Sequence, residues 1–204
     1  MNEISKLTLS AEEQLLVNNA GWILTKRVII DKVYRLFGDL AAAQKKIIEK
    51  ETGLLPEAVR QSTAKISKGE NYLQLPYVLL DYPRCFEQED SFAVRTMFWW
   101  GNFFSVSLQL SGKYKLQFQE QLSADKNSLV QNSFYICTNE SQWHHHFAND
   151  NYTAVRELNN KEMEDIIRQK EFIKLAVKFP IQQWDEMPLL LERSYANIID
   201  LLKA

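Results

Sequence analysis

Five large aromatic residues fall within seven positions at Phe98-Trp99-Trp100-Gly101-Asn102-Phe103-Phe104. They lie inside a longer apolar run, FAVRTMFWWGNFFSVSLQLSG, residues 92 to 112, and this run limits what the chain can fold into. Side chains alternate along an extended segment, so Phe92, Val94, Thr96, Phe98, Trp100, Asn102, Phe104, Val106, Leu108 and Leu110 would share one nearly continuous apolar face. At about 3.3 Å per residue such a strand would run past roughly 60 Å. That exceeds the width of a compact domain of 204 residues, so the chain must bend or reverse. Gly101-Asn102 suits a two-residue hairpin turn, with glycine supplying the positive φ, and this turn would pair Trp100 with Phe103 and Trp99 with Phe104. A glycine kink in one bent strand is the alternative. In the hairpin both faces near the turn are aromatic, and such a sheet must be covered twice, by helices or by another subunit.

The sequence before this run has helical periodicity. Ser10 and Glu13 have capping-box spacing. Ile29, Val33, Leu36, Leu40, Ala43 and Ile47 then recur along one stripe, which predicts a helix over about 26–51, with a break at Gly38-Asp39 as the alternative. Gly53 is a plausible cap for its end. Pro56 opens a third helix to about Ser67. Strand signatures follow at 72–86 and in the aromatic run, and again at 113–118, 133–138 and 142–147. A helix over 161–170, a strand over 173–179 in which Ile173, Leu175, Val177 and Phe179 alternate with Lys174, Ala176 and Lys178, and a last helix from Asp185 complete the order. Helices first, strands in the middle and a helix at the end predict a single α+β domain over 1–204: N-terminal helices packed on a mostly antiparallel sheet, with a C-terminal helix.

Lys plus Arg total 24 and Asp plus Glu 26, a net charge of −2. A dedicated nucleic-acid binder needs a basic balance or a basic stripe to neutralise phosphates, so no nucleic-acid partner is expected. The aromatic run carries a single cation, Arg95, which argues for packing rather than base stacking. No apolar stretch is long enough to span a bilayer and no export signal opens the chain, so a cytoplasmic protein with no membrane partner is expected. Cys85 and Cys137 are then expected to stay as thiols.

Two clusters could carry chemistry. LDYPRCFEQED at 80–90 places Asp81, Tyr82 and Arg84 around a proline turn, where together with Arg95 and Trp143 they make a candidate small-molecule site. ESQWHHHFANDNY at 140–152 holds all three histidines. On a strand His144 and His146 would point to one side and His145 to the other, so the first and third, with Asp150, Glu140 or Asp81, make a candidate metal site. No P-loop, GxGxxG, HExxH, GxSxG or CxxC pattern occurs, and no cofactor is implied. The leading expectation is a non-catalytic binding or protein-interaction module, a homodimer through apolar sheet or helix surface. A metal-dependent enzyme using His144 and His146, and a small-molecule binder with a cleft near Trp143, are the alternatives.

Overall fold

The Ser10 capping box forms: its Oγ accepts from the Glu13 N–H at 3.2 Å, while the Glu13 carboxylate accepts from the Ser10 N–H at 2.7 Å. It opens α1 (Ala11–Asn18) in a computed structural model that describes residues 7–51 and 53–203. Asn19 then caps α2 (Ala20–Lys50), which passes through Gly38 unbroken and buries Ile30, Val33, Phe37, Leu40, Gln44 and Ile48. The predicted stripe lies along one edge of this face, sharing Val33 and Leu40 with it. The third helix, α3 (Glu57–Arg60), is far shorter than expected, because residues 65–72 have already turned into β1 (Lys65–Tyr72).

Next come β2 (Leu75–Phe86), β3 (Ser91–Trp99) and β4 (Phe103–Ser111), each antiparallel to the one before. The aromatic run is therefore a hairpin, but its register differs by one residue from the predicted pairing. Trp99 faces Phe103 and Phe98 faces Phe104, which leaves a three-residue loop, Trp100-Gly101-Asn102. Gly101, at φ 71°, supplies the left-handed conformation the reversal requires.

Residues 113–118, expected as a strand, belong instead to α4 (Gly112–Ala124). Tyr114 and Phe118 fit either period, because a spacing of four keeps one face of both a strand and a helix. The tie is broken by Leu116, which would share a strand face with them but is 67% exposed, whereas Leu122 is buried with them along the helix. Then follow α5 (Lys126–Gln131), β5 (Tyr135–Cys137), β6 (Tyr152–Ala154), α6 (Asn160–Gln169), β7 (Phe172–Pro180) and α7 (Met187–Leu201). All seven strands join one antiparallel sheet in the order β1-β2-β3-β4-β7-β5-β6. The fold is α+β, as expected, and α2, the predicted long helix, lies with α4 and α7 against one face of the sheet.

That first face carries Val78, Leu80, Phe92, Val94, Phe98, Phe104, Val106, Leu108, Leu175 and Val177, buried with α2, α4 and α7. Each such side chain contributes about 1.5–3 kcal/mol of burial. On the second face the strands place Leu79, Asp81, Arg95, Met97, Trp99, Phe103, Ser105, Ser107, Gln109 and Lys174. The cover there is the β5–β6 connection, residues 138–151, whose Phe147 stacks on Tyr152 at 4.5 Å and meets Phe103 edge-on at 5.1 Å. The aromatic hairpin is thus covered twice within one chain.

Candidate functional site

Asp81, Arg84, Arg95 and Trp143, four of the five residues predicted to bind a ligand, line one cleft of about 410 Å³ on the second face. Tyr82, the fifth, does not. Alternation turns it to the opposite face, where it is buried among the helices. A bulge between Asp81 and Arg84 resets the alternation and returns Arg84 to the cleft side. Lys65 lies opposite Asp81 on β1, and the Trp143 ring crosses the opening to within 6.2 Å of Phe86. The flap is tied down by Gln109, whose amide donates to the Gln142 side chain at 3.0 Å.

Beneath the flap runs a chain of buried polar groups. Arg95 forks onto Asp81, Nε to Oδ1 at 2.6 Å and Nη2 to Oδ2 at 2.9 Å. Its Nη1 meets His145 Nε2 at 3.2 Å, and His145 Nδ1 meets Lys174 Nζ at 3.3 Å. Lys174 is 1% exposed and also donates to the backbone oxygens of Gln142 at 2.8 Å and His144 at 2.5 Å. These partners assign the protons. Arginine can only donate, so His145 Nε2 must accept, which leaves the imidazole proton on Nδ1. The Nδ1–H then needs a lone pair, and only a neutral Lys174 amine has one. A neutral amine has two N–H bonds and one lone pair, which match its three partners. Burial pushes Lys174 down to about 7, and burial, with the Arg95 charge beside it, holds His145 well below the usual imidazole range.

Lys174 alternates with Ile173 and Leu175 and so lies on the second face, where the flap converts the middle of the strand face into an interior. His145 and Lys174 are the structurally committed groups that sequence reasoning missed. The signal was available only as a lysine flanked by Ile173 and Leu175 in an apolar strand, a pattern that more often marks a solvated face.

Residues 142–147 are irregular rather than a strand, so the alternation that paired His144 with His146 does not exist. Their rings nonetheless lie 5.5 Å apart. The Tyr72 hydroxyl accepts from the N–H groups of His145 and His146 at 2.6 and 3.1 Å. Its own hydrogen then reaches His146 Nδ1 at 3.1 Å, which leaves Nε2–H to face Asp150 Oδ1 at 3.3 Å. The contacts of His146 and Asp150 close the flap upon itself. Among the described residues no three His, Cys, Asp or Glu side chains converge as a metal-binding set. Cys85 and Cys137 are both free thiols.

A second surface has a different character. Helix α1 buries none of its residues. Between Leu7 and Val28, nine large apolar side chains (Leu7, Leu9, Leu15, Leu16, Val17, Trp22, Ile23, Leu24 and Val28) are 42% to 87% exposed. Trp22 meets Trp100 edge-on at 5.9 Å, and Trp100 lines an apolar groove of about 410 Å³ with Ile29, Phe98, Ile181 and Trp184. Arm and groove thus form one continuous apolar surface. Among the described residues no helix is long and apolar enough to cross a membrane. Comparison of the chain with protein-family models, with curated proteins and with solved structures returned no match.

Proposed function

We propose that this protein is a non-catalytic protein-interaction module of the cytoplasm whose first partner is a second copy of itself, joined through the arm of residues 7–28. One observation carries this reading: α1 buries none of its residues and exposes Leu15, Leu16 and Val17, and the start of α2 exposes Trp22, Ile23, Leu24 and Val28. A continuous exposed apolar surface of this kind marks a partner-binding site. With 60–120 Å² for each fully exposed large side chain, the arm offers roughly 500 Å² per copy. The adjoining groove brings this toward the roughly 600–800 Å² per partner of stable interfaces.

Charge supports a symmetric pair. Glu12 lies on α1, whereas Arg27 and Lys32 lie on α2, and none of the three has an ion-pair partner among the described residues. In a twofold arrangement the acidic helix of one copy lies along the basic stretch of the other, and the same contact is made twice. Of the aromatic hairpin only the tip around Trp100, which lines the groove, takes part, since Trp99 and Phe103 are already buried within the chain.

Sedimentation velocity across micromolar concentrations tests the reading. The wild type is expected at twice the monomer mass, and a Leu16→Glu/Leu24→Glu variant at the monomer mass with unchanged near-ultraviolet circular dichroism. A wild type that stays monomeric at tens of micromolar would overturn self-association.

A further inference from the structure

We infer that the cleft between the sheet's second face and the Trp143 flap binds a small amphipathic anion, with its carboxylate or phosphate at Lys65 and Arg84 and a planar apolar body against Phe86 and Trp143. The inference rests on an inventory of the charges around the cleft. Asp81 is taken by the two-pronged Arg95 contact. Glu87 and Asp90 both face Lys113, at 2.6 and 3.2 Å. Arg84 spends its Nε on the Thr63 carbonyl at 3.2 Å, and its two terminal nitrogens have no acceptor among the described residues. Lys65 has no ion pair there either. Two uncommitted cations thus share one wall, opposed only by the exposed Glu89 on the rim.

The apolar half of the cleft is built from two exposed aromatics, Phe86 and Trp143, which lie on different elements and meet across the opening at 6.2 Å. Exposed rings standing beside unpaired cations recognise a molecule that has both an anionic head and an apolar body, because each part alone gains little from water. The far wall adds direction. Ser111 Oγ donates to the Glu89 carbonyl at 2.8 Å, so the Ser91 hydroxyl donates to Ser111 Oγ at 2.9 Å, and the pair presents only lone pairs to the cleft. A hydroxyl or N–H on the ligand's body would be accepted there. The floor is rigid, since Arg95 is held by Asp81 and His145 together and the flap by Lys174. Such a site needs little ordering when the ligand arrives.

The test uses 4-hydroxyphenylacetate, with acetate and 4-hydroxybenzyl alcohol as its anionic and neutral halves, followed by amide and indole chemical shifts of the full chain. The whole probe is expected to shift the Trp143 indole N–H saturably, and each half at least tenfold more weakly. Lys65→Gln/Arg84→Gln and Trp143→Ala should each weaken binding at least tenfold while leaving the melting temperature near that of the wild type, because these side chains are at the surface. Added salt should weaken the anionic probe and leave the alcohol unaffected. No saturable shift at Trp143 up to 10 mM probe, or binding indifferent to the Lys65/Arg84 change, overturns the inference. The cleft shares no lining residue with the groove beside the arm, so sedimentation of the same variants should be unaltered whatever the cleft does.

Discussion

Replacing Lys174 by Met should change how the stability of this protein depends on pH. Lys174, with its amine at about 7 when folded, is about half neutral at pH 7 and neutral above it, whereas the unfolded chain keeps it charged up to the ordinary lysine value of about 10.4. Between these values the unfolded state binds more protons than the folded one, so stability must rise with pH. Integrating the linkage relation from pH 7 to pH 9 gives a gain of about 2 kcal/mol from this one group. Other groups titrate nearby: burial raises Cys137 and Tyr152, and both then favour the folded state less as pH climbs. The informative quantity is therefore the difference between the two proteins. Urea unfolding at pH 7, 8 and 9 should show the wild type gaining about 2 kcal/mol more than Lys174→Met over the interval. Parallel curves would refute the neutral buried amine, and with it the proton assignment of His145. His145 has the same sign in a lower window: its depressed value makes stability fall as pH drops below about 6.5.

Two further perturbations separate paired from unpaired buried polar groups. Arg95→Met leaves Asp81 buried without its partner and should cost about 3–5 kcal/mol, whereas Asp81→Leu/Arg95→Met should recover most of that loss. Chemical denaturation of the single and double variants measures both; equal losses would place the pair in effective contact with solvent. Gln44 is fully buried on α2 and neither side-chain atom has a hydrogen-bond partner among the described residues, so Gln44→Met should stabilise the protein by about 1–3 kcal/mol in thermal and urea melts. Destabilisation there would reveal a polar partner that the amide satisfies.

Much of the fold was legible because its signals are local. The Ser10 box, the long stripe of α2, the strand at Ile173–Phe179 and the helix after Asp185 each follow from spacing and capping chemistry that neighbouring residues enforce on one another. Where two local signals tie, sequence cannot choose. Tyr114 and Phe118 suit a strand or a helix equally until their neighbours pack. Leu73 and Gln74 are not turn formers, yet both adopt positive φ (48° and 68°) to close the β1–β2 hairpin, which is why β1 was read as the end of a helix. The sequence by itself therefore determined the α+β class, the order of its main elements, the need to cover the aromatic hairpin on both faces, and most of the residues of one cleft. Which cover lies over which face was decided by tertiary structure. The flap that buries Lys174 and brings His145 onto it comes from a segment about 30 residues away along the chain, and its position depends on contacts with Tyr72, Gln109 and Lys174 that no local pattern encodes. Burial sets the charge state of an amine, so whether Lys174 faces water or donates and accepts as a neutral base was settled only when the flap closed over it.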